Sequence, residues 1–186
     1  LKQNKVSGIY GIDTRELTKK IRVHGVMMSI LEVSKDPSPD DMLIKNLESN
    51  LNYGDINFVE EVSVKQPVEY GKGDNKVVLI DCGVKLNIIR ELLRRGLKVI
   101  RVPYDASSKD ILDYQPMGVL VSNGPGDPKI CGKAVKTVSK LFDEGVPMLG
   151  ICLGTQIISL ALGGDTYKLK YGHRVQNKPC VDLVTL

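Results

Sequence analysis

From Lys76 onward, short runs of apolar residues alternate with stretches whose apolar positions fall three and four apart. The runs "KVVLIDCG", "LKVIRVP", "GVLVSNG" and "PMLGIC" have the length and β-branched content of buried strands. Between and after them, "LNIIRELLRRG", "SKDILDYQ", "KAVKTVSKLFDEG" and "TQIISLALGG" carry helical spacing. Alternation on this scale predicts parallel strands joined by right-handed crossovers, hence a doubly wound, mostly parallel α/β sheet. Ligands in such sheets sit outside the carboxyl ends of the strands. That points to Cys82-Gly83, Pro103, Ser122 to Asp127, and Cys152 to Gln156.

The first third reads differently, as part of a small α+β domain. In "GIDTRELTKKIRVHG", Asp13 is a helix cap with Glu16 three residues on, Leu17 and Ile21 share a face, and Gly25 can end the helix in the left-handed region. "VMMSILEVS" reads as a strand, and "SPDDMLIKNLESNL" as a second helix. That helix is expected to be capped by Ser38, to open on Pro39, and to bury Leu43, Leu47 and Leu51. "QPVEYGKGDN" has the composition of a linker. The expected division is 1–66 for the N-terminal piece, 67–75 for the linker and 76–186 for the sheet domain.

With 42% hydrophobic and 26% charged residues, a packed core is expected rather than disorder. The net charge of +4 comes from basic residues scattered among acids, and aromatics are only 5%, which argues against nucleic acid as a partner. Four cysteines stand far apart, with only two histidines (His24 and His173), so no metal site is expected. No long apolar segment suggests secretion or a membrane span, and a reducing cytoplasm is the expected location. The chain opens on "LKQNKV" without an initiator methionine and closes on "VDLVTL" as a strand pattern begins, so it is expected to be a piece of something larger.

Two loops carry candidate chemistry. "GICLG" sits between a strand and a helix, the setting of a nucleophile elbow with cysteine in place of serine. There Gly150 and Gly154 permit crowding, the helix N-terminus favours a thiolate, and the Leu153 amide is placed to meet an oxyanion. The same five residues also suit a buried cysteine closing a core strand. "SNGPGDP" can turn tightly and expose successive amides to an anion, or it can be an ordinary surface turn. It is not a Walker A loop, because Gly132-Lys133 comes one residue late and Ala134 stands where Ser or Thr is required.

Taken together, "SNGPGDP", one helix and then "GICLGTQ" resemble the class I glutamine amidotransferase domain, a flavodoxin-like fold, over roughly Lys76 to Pro179. "GIYGIDTRELTKKIR", "VVLIDCGVKLNIIRELLRRG" and "YKLKYGHRVQNKP" further resemble the small-subunit family of glutamine-hydrolysing carbamoyl-phosphate synthases. The resemblance implies that Cys152 attacks the side-chain amide of L-glutamine, forming a glutamyl thioester and releasing ammonia. It implies that Leu153 and Gly124 donate backbone N–H bonds to the oxyanion, and that Gly126 and Gln156 help hold the substrate. It implies a partner, the synthase large subunit, which uses ATP, magnesium and bicarbonate to make carbamoyl phosphate for pyrimidine and arginine synthesis. No cofactor is implied for this chain itself.

In that family a histidine and a glutamate activate the cysteine from beyond the "GICLG" strand, and no such pair precedes Leu186. His173 is not assigned the role, and His24 reads as a helix-end residue. A lone thiol with a pKa of about 8.5 is only a few per cent ionised near pH 7. The 186-residue segment by itself is therefore expected to hydrolyse glutamine negligibly. Val175 and Lys178 stand where the family has Gly and His, which leaves either tolerated drift or an altered site. Two other readings compete: an amidotransferase of anthranilate or GMP synthesis, and a non-catalytic module that docks on the synthetase. Of the remaining cysteines, Cys82 is expected in the core, Cys131 partly exposed, and Cys180 carries no reading.

Overall fold

A computed structural model describes residues 1–49, 56–171, 181, 182 and 184. Chain contacts divide it into two units, Leu1–Asn50 with Tyr167–Leu186, and Leu51–Thr166. His173, Val175, Lys178 and Cys180 lie outside the described residues.

In the first unit, helix α1 spans Thr14–His24 and α2 spans Asp40–Ser49. The Asp13 carboxylate accepts from the Glu16 amide at 2.9 Å, the expected cap, and His24 ends α1. Gly25 has positive φ but ψ of −151°, so it leaves the helix extended rather than left-handed. The Ser38 hydroxyl does not cap α2. It donates to Glu32 at 3.1 Å, and the Pro39 carbonyl receives the Met42 and Leu43 amides instead. Leu43 and Leu47 are half-buried, whereas Leu51 is outside the described residues. Residues 26–34 form no strand. A strand exists only by pairing, and these residues pair with no neighbour among the described ones.

The second unit is the sheet. Its elements are α3 (Phe58–Val62), β1 (Val68–Tyr70), β2 (Lys76–Asp81), α4 (Leu86–Arg94), β3 (Lys98–Pro103), α5 (Ser108–Asp113), β4 (Gly118–Val121), α6 (Gly132–Asp143), β5 (Met148–Gly150) and α7 (Leu153–Ala161). Strand order is β1-β3-β2-β4-β5, parallel except for β1, which runs antiparallel to β3. This is the expected doubly wound sheet with one addition. The stretch expected as a linker contributes an edge strand, because Val68-Glu69-Tyr70 pairs with Arg101, Ile100 and Val99. The Glu69 carboxylate also meets Lys98 at 2.7 Å, and Tyr70 packs on the core.

Alternation along the strands sorts the core into two faces. Val78, Ile80, Ile100, Val102, Val119 and Val121 point to one side, where α6 packs Ala134, Val138 and Leu141 and α7 packs Leu153 and Ile157. Val77, Leu79, Val99 and Leu120 point to the other, against Ile89 of α4. Strand β2 is central, and its neighbours β3 and β4 were added on opposite sides of it. The direction of winding therefore reverses between the parallel strands β2 and β4, and their C-terminal ends open a crevice there.

A buried carboxylate anchors that end of the sheet. Asp81 is 0% exposed and accepts from four donors: the amides of Val64 (2.8 Å), Gly83 (3.1 Å) and Val84 (2.9 Å), and the guanidinium of Arg101 (2.7 Å). Burial works against the charge on Arg101, but its bonds to Asp81 and Tyr70 outweigh that and hold its pKa above the ordinary arginine value. One side chain thus ties the segment after α3, the turn after β2, and β3 together. Asp81→Ala leaves the Arg101 charge and three amides without their acceptor. Urea unfolding should show a loss of about 3–5 kcal/mol, the usual cost of breaking a buried pair. A loss under about 1 kcal/mol would mean that water replaces the carboxylate at little cost.

Candidate active site

Strand β5 ends at Gly150 and α7 begins at Leu153, leaving two residues to reverse the chain. Cys152 takes the strain of that reversal, with φ 54° and ψ −111°, a conformation L-residues rarely adopt. Two glycines make the reversal possible. A Cβ on Gly150 would lie 2.5 Å from the Thr155 amide nitrogen, and one on Gly154 would lie 2.0 Å from the Val121 carbonyl oxygen. The Thr155 hydroxyl closes the turn by donating to the Gly150 carbonyl at 2.8 Å. Leu153 is buried beneath, so the elbow is pinned by its hydrophobic neighbour while Cys152 itself is exposed. The reading of Cys152 as a buried strand-end thiol is thereby excluded.

The second bend lies beside it. A Cβ on Gly124 would fall 2.1 Å from the Cys82 carbonyl oxygen and 2.8 Å from Leu153 Cδ2. The bend after β4 is thus pressed between the turn after β2 and the first residue of α7, which brings "SNGPG" and "ICLG" together at the crevice. Ser122, 0% exposed, locks the approach. Its Oγ accepts from the Cys82 amide at 2.9 Å and donates to the Asn123 carbonyl at 2.9 Å. Among the described residues, the amides of Gly124, Gly126 and Leu153 have no protein acceptor.

Two expected substrate-holding residues stand apart from this contact. Gly126, at φ 89°, faces the Phe58 ring and the Ile56 carbonyl. Gln156 lies exposed in the first turn of α7, its amide donating to the Cys152 carbonyl at 3.3 Å. The roles of Asp81, Ser122 and Thr155 were not legible as site chemistry. A lone acid ending the apolar run "VVLI" was the available signal for Asp81, but its partners Val64 and Arg101 are remote in sequence.

The other cysteines differ sharply from Cys152. Cys82 is in the core as expected, and burial, helped by Cys131 and Asp81, pushes its thiol pKa far up. Cys131 was expected to be partly exposed but is 1% exposed, because it caps α6 from within the core cluster. Burial first, then Asp127, raises its pKa from 9.0 to about 11. Among the described residues no three His, Cys, Asp or Glu side chains gather as a metal-binding group, and no helix is long and apolar enough to cross a membrane.

A strained, exposed cysteine at a strand-to-helix elbow, faced by a glycine bend where the winding of a doubly wound sheet reverses, is an arrangement chemically suited to acyl transfer. The chain belongs to the class I glutamine amidotransferase family, whose model matches residues 78–185. The model of the carbamoyl-phosphate synthase small chain, CPSase domain, matches residues 1–31. The chain is 47% identical over 186 residues to the carbamoyl phosphate synthase small chain of Methanopyrus kandleri, covering 98% of this chain and 51% of that protein. It is 48% identical over 188 residues to that of Methanococcus maripaludis, again 98% and 51%. The chain spans about half the length of the curated relatives it matches.

The burial contrast sets an order of thiol reactivity. In the native protein at pH 8, iodoacetamide should modify Cys152 at least about tenfold faster than Cys82 or Cys131, read by peptide mass spectrometry. Equal rates would mean that the elbow does not present its sulfur. The pH dependence has a definite sign for Cys131. Its thiol form favours the fold, so its contribution to stability is full below pH 9.0 and is lost as pH rises through about 11.

Proposed function

We propose that this chain is the glutamine-cleaving part of a carbamoyl-phosphate synthase small subunit. The observation that carries the reading is the exposed Cys152 at φ 54°, with Gly124 packed against the residue that follows it. The Cys152 sulfur attacks the side-chain carbonyl carbon of glutamine, and the oxygen takes the negative charge. The amides of Leu153 and Gly124 donate to that oxygen, an interaction worth about 10²–10³ in rate for each donor of this kind. As the intermediate collapses the C–N bond breaks, and the amide nitrogen leaves as ammonia carrying an added proton. Water then hydrolyses the glutamyl thioester to glutamate and restores the thiol.

The proton shuttle is assigned to the histidine and glutamate that the family carries beyond the "GICLG" strand. Gly126 and Gln156 are proposed to hold the substrate. Ammonia passes to the large subunit, where ATP and bicarbonate are consumed with magnesium as the metal ion, in a reducing cytoplasm that keeps Cys152 a free thiol. The relatives' names and the small-chain match to residues 1–31 favour this acceptor over anthranilate or GMP synthesis.

In the full-length protein with its large subunit, Cys152→Ser should abolish carbamoyl phosphate formation from glutamine while synthesis from free ammonia persists. The glutamine analogue 6-diazo-5-oxo-norleucine should label Cys152. Loss of both syntheses, or labelling confined to Cys82 or Cys131, would contradict the reading.

A further inference from the structure

Asn123 precedes Gly124, the glycine that packs against Leu153 of the elbow, and both ends of its side chain are engaged. Its Oδ1 accepts from the Lys85 amide at 3.2 Å, and its Nδ2 donates to the Gly83 carbonyl at 3.1 Å. One partner is an N–H and the other a C=O, so only one orientation of the amide satisfies both. The side chain therefore straps the bend after β4 to the turn after β2, across the crevice where the sheet reverses.

We infer that Asn123 is a positioning residue for glutamine cleavage: its amide strap holds the Gly124 N–H in register with the Leu153 N–H. This rests on the reading of Cys152 as the glutamine nucleophile. Two constraints act on Gly124 from opposite senses. The Cys82 carbonyl blocks movement toward β2, since even a Cβ would fall 2.1 Å from its oxygen. The two Asn123 bonds oppose movement away from it. Ser122 continues the strap on the main-chain side, accepting from the Cys82 amide and donating to the Asn123 carbonyl. With both directions limited, the bend can present a backbone donor at a fixed place without any side chain touching substrate.

The consequence falls on the transition state. An oxyanion donor binds charge that develops only as the thiolate adds, so its misplacement lowers kcat more than it raises KM. A displacement of about 1 Å in such a group can cost roughly 10²-fold in rate. Alkylation by iodoacetamide is a direct displacement at carbon and needs no oxyanion donor, so it reports on Cys152 and the elbow alone. A carboxylate at position 123 still accepts from the Lys85 amide but cannot donate to Gly83, so Asn123→Asp breaks the strap while keeping size and polarity.

The test uses the full-length protein and compares Asn123→Ala, Asn123→Asp and Cys152→Ser for glutamine hydrolysis, and the two Asn123 variants for alkylation of Cys152. Both Asn123 variants are expected to lose about 30-fold or more in kcat, with KM within about threefold and the alkylation rate within about twofold of the unsubstituted protein. Wild-type kcat in either variant, with Cys152→Ser inactive, would overturn the strap and leave the nucleophile assignment standing. Alkylation falling in parallel with kcat would also overturn it, since Asn123 would then be supporting the elbow as a whole. Glutamine cleavage surviving in Cys152→Ser would remove the functional reading itself and this inference with it.

Discussion

The Cα of Gly154 approaches the Val121 carbonyl so closely that a Cβ there would lie 2.0 Å from its oxygen. Everything at the crevice follows from that approach. It sets the start of α7 directly on the end of β4, which leaves Cys152 no ordinary way to connect strand to helix. The strained φ of 54° is the geometric result, and an outward-facing sulfur is its chemical result. Strain of this kind costs about 1–3 kcal/mol. Complete burial of Leu153 and Ile157 contributes about 1.5–3 kcal/mol each, enough to offset it. The helix core thus holds the elbow in a conformation that the backbone alone would abandon.

The same economy of space operates on the opposite loop. Gly124 fits between the Cys82 carbonyl and Leu153 because it has no side chain, and Ser122 and Asn123 fasten the loop to the turn after β2. Asp81 fastens that turn in its own way, through two of its amides and Arg101. Elbow, bend and turn are three strand ends held by close backbone contacts, so the functional groups on them are main-chain amides and one thiol.

Much of this was legible in sequence because the signals were local. Strand-helix alternation after Lys76 yields the sheet, since the runs that become β2, β3 and β4 each supply residues to both faces. The glycines of "GICLG" and the Asp13 cap act on neighbours within a few residues, and the structure finds them as read. The failures share a cause in distance or in pairing. Edge strand β1 exists only because Arg101, Ile100 and Val99 lie beside it. Residues 26–34 read as a strand but have no such neighbour among the described residues. Cys131 begins a helix, ordinarily a half-open place, yet it faces the core beside Val138 and Leu141. Ser38 suits a cap but finds Glu32 first.

A structure of the full-length protein reacted with glutamate γ-semialdehyde would test the central claim most directly, because the aldehyde forms a tetrahedral hemithioacetal on an attacking sulfur. The adduct is expected on Cys152, with its former carbonyl oxygen within about 3.1 Å of the amide nitrogens of both Leu153 and Gly124. An adduct oxygen turned to solvent, or an adduct on any other cysteine, would contradict it.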